Sequence, residues 1–326
     1  MNNKLISVIM SVYNEKPEWL ISCIDSILMQ TYKNLEFVIV LDNPNNLVLK
    51  NILLKYQALD NRVKLNINDK NQGLIFSLNK ALAICSGEYI ARMDADDIAK
   101  LHRFEAQIRY LEANNLDLVG ANVEFFNDEQ GTFHYTDKLR THSFIKKMLQ
   151  VGTIGIVHPT FFAKAEVYET LNGYGQSLHT EDKEFLARVF VNGFKVGNVG
   201  ECLLSYRYSE TSITKSNSFH VYKMGRYVTN VFNQYLKTGN YNFDITFIER
   251  VKASNEELKA FNTKQVKLGE ARSAVHNKKY FKALKYLLHC IILSRSTLLT
   301  IKINIWLKLL RIVEKKKDKV SIAVPL

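Results

Sequence analysis

Proline is scarce, with four residues in a chain of 326, and that alone excludes collagen-like and proline-rich low-complexity architectures. The four cysteines, Cys23, Cys85, Cys202 and Cys290, are far apart and form no C-x-x-C pair. Neither a zinc ribbon nor a disulfide scaffold is indicated, and a reducing, cytoplasmic compartment is expected. No stretch reaches the roughly 20 uninterrupted apolar residues that a membrane span requires. The short apolar run from Leu5 to Val12 is broken by Ser7 and Ser11 and lacks a small-residue cleavage site, which argues for a first strand and against a signal peptide. Also missing are a G-x-G-x-x-G after a strand, a G-x-x-x-x-G-K-[ST] loop and an H-E-x-x-H pair. Dinucleotide oxidoreductases, P-loop NTPases and thermolysin-like proteases therefore lack their usual signatures.

What is present is an ordinary folding composition, 47% hydrophobic and 23% charged. The net charge of +12 is uneven: Val266 to Lys319 holds 14 Lys/Arg against three acids, and the remainder 30 against 29. A near-neutral body with a basic end is a poor match for a DNA-reading domain and a fair one for a protein held by one end on an anionic surface.

Apolar periodicity sets the architecture. Leu5–Val12, Leu35–Leu41, Val63–Ile67 and Glu88–Met93 read as strands, with helices predicted at Pro17–Leu28, Val48–Gln57 and Leu74–Ile84 between them. Such alternation builds an open parallel sheet that binds ligands at the carboxyl ends of its strands. Polar clusters fall at three of those ends: Tyr13-Asn14-Glu15, Asp42-Asn43 and Asp94–Asp97. Further on, a helix is predicted over Leu101–Asn114, strands over Leu118–Phe126, Val157–Ala163 and Lys195–Tyr208, and a helix over Thr180–Asn192. Beyond Ser216 only helices are expected, including a helical hairpin over Leu268–Ser294.

In Asp94-Ala95-Asp96, two carboxylates one residue apart at a strand end share a small volume and repel each other. A divalent cation relieves that repulsion, and oxygen-only ligands suit Mg²⁺ or Mn²⁺ on a substrate diphosphate. The competing reading is a solvated acidic turn with Asp97 as the cap of the next helix.

Seven segments turn this pattern into a resemblance: Ser7–Glu15 (SVIMSVYNE), Leu35–Asp42 (LEFVIVLD), Asn71–Ser77 (NQGLIFS), Gly87–Ile98 (GEYIARMDADDI), His158-Pro159-Thr160, Thr180–Phe185 (TEDKEF) and Tyr206-Arg207. In this order the chain resembles the inverting glycosyltransferase family 2 over residues 5–215. The resemblance implies a GT-A fold: a Rossmann-like α/β structure with a mostly parallel open sheet flanked by helices, here with a C-terminal helical extension. It implies a donor-binding half over 1–100, an acceptor-binding half over 101–215 and a basic helical region over 216–326. Tyr13, Glu15, Asp42, Asn71, Gly73, Arg92, Asp94, Asp96 and Arg207 would bind the nucleotide-sugar donor, a UDP-sugar being expected. Asp96 and Asp94 would hold Mn²⁺ or Mg²⁺. Asp182 would be the general base, and Glu181 would orient it or bind the acceptor.

Without the resemblance, acids in the first turn of a helix are explained by the helix dipole, and Asp42 by a local turn. Two departures stand out. The family's Tyr-Arg-x-His reads Tyr206-Arg207-Tyr208-Ser209, without the histidine, and Asn43 replaces a second aspartate after Asp42. His158 is open between acceptor contact and core. A sugar nucleotidyltransferase needs a Gly-rich basic loop after the first strand, which Tyr13–Lys16 is not, and the aromatics near Tyr280–Tyr286 have the helical spacing of packing, so nucleic acid is not an expected partner.

The acceptor is expected to be a surface glycan or lipid-linked oligosaccharide. Residues 298–315 project as an amphipathic helix followed by Lys315–Lys317, which suggests peripheral attachment to the anionic inner face of the plasma membrane. The alternative is packing on the catalytic domain or on a second copy in a homodimer.

Overall fold

The computed structural model describes residues 4–129, 131–136, 141–177, 179–208, 218–250 and 254–293. Its core is a nine-stranded sheet: β1 Ile6–Val12, β2 Leu35–Leu41, β3 Val63–Ile67, β4 Tyr89–Asp94, β5 Ile98–Ala99, β6 Leu118–Asn127, β7 Gly131–Tyr135, β8 Phe162–Lys164 and β9 Val196–Arg207. The order is β3-β2-β1-β4-β8-β6-β9-β5, with β7 paired to β6. The first four strands are mutually parallel. Beyond them the sheet is mixed, since β8 runs antiparallel to both β4 and β6 while β6 and β9 are parallel.

Eight helices of the described residues accompany the sheet: α1 Pro17–Leu28, α2 Leu47–Leu59, α3 Leu74–Leu82, α4 Arg103–Ala113, α5 His142–Gln150, α6 Ala165–Thr170, α7 Glu181–Val191 and α8 Ser218–Thr238. Strand side chains alternate between faces, and each face has its own apolar layer. Ile6, Val8, Met10 and Val12 of β1 and Tyr89, Ala91 and Met93 of β4 join α1, α2 and α4. Ile9, Val38, Val40 and Ile90 join α3, α5, α7 and α8. By the same parity Arg92 and Asp94 follow Ile90 onto the α7 side, and this fixes the polar chemistry below.

Two expectations are corrected. The segment Val157–Ala163 is not a continuous strand: His158–Thr160 is a 3₁₀ turn and β8 begins at Phe162. Pro159 lacks the N–H a ladder needs, and Thr160 instead bonds back to the Val157 carbonyl, from N–H at 2.9 Å and Oγ1 at 2.6 Å. The strand β7 was not anticipated; all five of its residues are exposed, so no buried alternation announces it.

The chain divides into two compact units, Met1–Ile245 and Thr246–Leu326. Helix α8, which the sequence places in the C-terminal region, packs within the first unit, where Asn233 Nδ2 donates to the Gln150 carbonyl at 2.9 Å and Phe232 meets Phe190. The second unit holds α9 Phe247–Arg250, α10 Asn255–His276 and α11 Tyr280–Leu293. A capping box between Ser254 and Glu257 starts α10, and the expected hairpin turn lies at Asn277–Lys279. The segment 298–315 and the run Lys315–Lys317 lie outside the described residues.

Gly87 lies where the chain enters β4 against β1. A Cβ there would sit 2.6 Å from both the N and Oγ of Ser7 and 2.8 Å from the Leu5 carbonyl, and Gly87 N–H donates to Ser7 Oγ at 2.8 Å. Gly87→Ala is expected to destabilise the protein by roughly 1–3 kcal/mol, the scale of overpacking a filled site. Thermal unfolding checks it; an unchanged midpoint would contradict the close approach.

Candidate active site

The strand order reverses at β1, with β2 and β3 on one side and β4 on the other. At such a switch point the loops leaving adjacent strands diverge and open a crevice above their carboxyl ends. Both loops here are polar, Tyr13–Glu15 after β1 and Asp94–Asp97 after β4, and the register sets Ser11 beside Asp94.

Asp94, Asp96 and Asp97 bring one carboxylate oxygen each within 4.8 Å of one another. Asp97 is not a helix cap: α4 starts at Arg103, and the buried Asp97 carboxylate accepts the Arg207 backbone N–H at 2.8 Å. Its Oδ2 is buried with no hydrogen-bond partner among the described residues. Burial, with Asp94 and Glu15 adding, raises Asp96 to about 7. Asp97 is pushed well up by burial and then by the charges of Asp96 and Asp94. Glu15 is also raised, mainly by burial, although its Oε2 accepts the Tyr13 N–H at 2.8 Å. Three clustered carboxylates, one of them with an unpartnered buried oxygen, form a hard all-oxygen donor set that fits a divalent cation.

The cation already in place is Arg92. Its side chain is 3% exposed and pairs with Asp94 two residues along the same strand face. Burial opposes the charge, but Asp94 above all, with Tyr174 and Glu181 adding, more than offsets that cost and holds the guanidinium protonated. Its Nε and Nη1 have no hydrogen-bond partner among the described residues.

Glu181 and Asp182 open α7 on this face. Burial, then the Asp182 charge, lifts Glu181 to about 7. Burial also raises Asp182, although its Oδ1 accepts the Lys183 N–H at 2.6 Å. Lys183 was not singled out from the sequence. It anchors the turn by donating Nζ to the carbonyls of Gly152 at 2.9 Å and Gly225 at 2.8 Å, and burial pulls its amine down to about 8. His158 sits in the core with Nε2 2.9 Å from Tyr174 Oη, and its Nδ1 is 3.8 Å from Glu181. Burial and then Arg92 push its pKa well below 6.5, so the ring is neutral.

Arg207 engages the protein itself. Nε donates to the Asp96 carbonyl at 2.8 Å and Nη1 to the Asp128 carboxylate. The guanidinium lies 4.7 Å from the Trp19 ring centroid and 4.4 Å from that of Phe126, and Trp19 Nε1 donates to Asp128 at 2.9 Å. Trp19 and Asp128 lie far apart in the chain and carried no sequence signal, whereas Asp97 was visible by adjacency.

Along the crevice edge, Asp42 is buried. Its Oδ1 accepts Asn68 Nδ2 at 2.7 Å and Gln72 N–H at 2.8 Å, and its Oδ2 accepts Gly73 N–H at 2.8 Å. Gly73 has φ of +88°, a conformation that favours glycine, and Asn71 Oδ1 also accepts its N–H at 3.0 Å. Asp42 thus shapes the Asn71–Gly73 loop and does not bond its own backbone turn. Asn43 donates to Asn14 Oδ1 at 2.7 Å and so ties the β1 and β2 loops together, and Tyr13 is exposed.

The family model described as glycosyl transferase family 2 matches residues 7–171. The chain is 36% identical over 214 residues to the O-antigen biosynthesis glycosyltransferase WbnJ of Escherichia coli, covering 65% of this chain and 83% of that one. It is 30% identical over 223 residues to the UDP-Glc:alpha-D-GlcNAc-diphosphoundecaprenol beta-1,3-glucosyltransferase WfgD of Escherichia coli, covering 67% and 83%. In fold it is similar to residues 1–349 of S. aureus TarS in complex with UDP-GlcNAc, with a TM-score of 0.58 and 15% identity over 86% of this chain and 90% of that one.

The raised carboxylates carry a sign. The folded chain keeps protons on Asp96 and Glu181 up to about 7, whereas the ordinary values are 3.8 and 4.5. Between those limits the folded state binds more protons than the unfolded one, so metal-free stability is greatest below them and declines as pH rises through 7. Thermal unfolding in chelator should show that decline, and Asp96→Asn should reduce it, leaving the part due to Glu181, and unfold at a higher temperature than wild type at pH 8. A variant less stable than wild type at pH 8 would contradict the repulsion.

Proposed function

The chain belongs to glycosyltransferase family 2, and from that premise we propose an inverting, metal-dependent enzyme that moves a sugar from a UDP-sugar to a hydroxyl of a growing surface polysaccharide or lipid-linked oligosaccharide. One observation carries the reading: the Asp94–Asp96–Asp97 carboxylates and the Glu181–Asp182 pair share one buried guanidinium, that of Arg92. The names of WfgD and of the TarS complex support a UDP-sugar donor, and those of WbnJ and WfgD support a surface or lipid-linked acceptor.

In this reading residues 1–100 bind the donor and 101–215 the acceptor. Tyr13, Glu15 and the loop shaped by Asp42, Asn71 and Gly73 hold base and ribose. Asp94, Asp96 and Asp97 would hold Mn²⁺ or Mg²⁺, which would supply positive charge where the diphosphate departs. Asp182 takes the proton of the acceptor hydroxyl as its oxygen attacks the anomeric carbon, and one displacement inverts the configuration. Glu181 holds the acceptor. Arg92 and Arg207 act through others, Arg92 by fixing Asp94 and Arg207 by fixing the Asp96–Asp97 loop. The acceptor's lipid would place the enzyme peripherally on the cytoplasmic face of the membrane; among the described residues no helix is long and apolar enough to cross one.

Turnover of a panel of UDP-sugars with Mn²⁺, and its loss in chelator, tests the metal and donor assignments. Asp96→Ala should abolish the Mn²⁺ requirement together with activity. Asp182→Asn should retain UDP binding by calorimetry while single-turnover transfer falls by about 10²-fold or more. Transfer that persists in that variant, or in chelator, would contradict the assignment.

A further inference from the structure

The catalytic reading leaves one face of the second unit without a task. Helix α11 is buried on one side through Ala283 and Cys290, with the Cys290 thiol 3.8 Å from the Lys264 carbonyl of α10. Phe281, Leu284 and Leu288 follow at i, i+3 and i+7, so they share one face of the helix. They are 91%, 53% and 52% exposed, and Tyr280, which opens the helix, is 66% exposed. Large apolar side chains grouped at helical spacing on a surface mark a contact. Their chemical setting is one-sided: Lys278, Lys279, Lys282 and Lys285 are all exposed, and there is no Asp or Glu from Lys278 to Leu293.

We propose that this face of α11 seats on an anionic lipid bilayer. Phe281, Leu284 and Leu288 enter the boundary between headgroups and acyl chains, and the four lysines meet lipid phosphates. Charge favours a bilayer over a second copy as the cover of such a face. A second copy related by two-fold symmetry presents the same surface to itself, and would set the four lysines of this segment against four, with no acid in the segment to pair them. An anionic membrane presents the opposite sign. The inference deepens the peripheral placement proposed above, and it assigns that attachment to named residues inside the described helical hairpin.

The test uses the full-length protein with vesicles of phosphatidylcholine and phosphatidylglycerol in equal parts, with pure phosphatidylcholine vesicles as the reference. Sedimentation gives the bound fraction, and UDP-sugar hydrolysis, followed in the same samples, tests the donor reading separately. The expected result is binding to the anionic vesicles alone, weakened by high salt. The triple variant Phe281→Ser, Leu284→Ser, Leu288→Ser should partition at least about tenfold more weakly, with hydrolysis and far-UV circular dichroism unchanged. Lys282→Glu with Lys285→Glu should weaken binding as well. Wild type that ignores anionic vesicles, a triple variant that binds like wild type, or a stable wild-type dimer that the triple variant dissolves would each overturn the proposal.

Discussion

A guanidinium enclosed by protein is the constraint around which the rest of the site is arranged. Taking an isolated ion of that size out of water costs several kcal/mol even after relaxation, and Arg92 is held charged by its ion pair with Asp94 and by the charge of nearby acids. Its field in turn reaches Asp96, Asp97, Glu181 and Asp182, and in each case it opposes the rise that burial imposes. The same charge disfavours protonation of His158. One side chain thus moderates the proton affinity of both acidic groups, on β4 and on α7, which come from distant segments of the chain.

The compensation is incomplete. Arg92 offers one charge to five acids, and burial, with the neighbouring carboxylates adding, leaves raised proton affinity at Asp96 and Glu181 and an unsatisfied oxygen on Asp97. Unsatisfied buried acids persist in a fold when something in the working state answers them. Here the two kinds of answer differ by side. In the proposed function the β4 cluster, deficient in positive charge, would be answered by a cation on a diphosphate, and the α7 pair by the hydroxyl of an acceptor.

The missing histidine after Tyr206-Arg207 finds a partial account in the same geometry. Arg207 is enclosed between Trp19 and Phe126 and bonded to Asp128 and to the Asp96 carbonyl. It braces the carboxylate loop from the end of β9, and its own N–H fixes Asp97. Asp97, a buried third acid, joins Asp94 and Asp96 in the cluster.

Periodicity and local chemistry determined most of the scaffold: continuous β-branched runs for β1 and β2, an i, i+3, i+4 stripe for α1, and turn formers at the strand ends where the polar clusters lie. These are interactions between near neighbours along the chain, and a linear reading can recover them. The parity that puts Arg92 and Asp94 on one face of β4 was equally implicit in the sequence. What that face meets was not: Glu181 reaches Arg92 only because α7 packs on the layer shared with Ile90, and Trp19, Asp128 and Arg207 converge only because β6 and β9 run side by side to the same end. Segments with no burial alternation, such as β7, and turns forced by one residue, such as Pro159, also escaped the linear reading. Chain proximity fixes the elements, whereas burial and long-range contact decide which charges face each other, and the proton affinities of this site follow from the second alone.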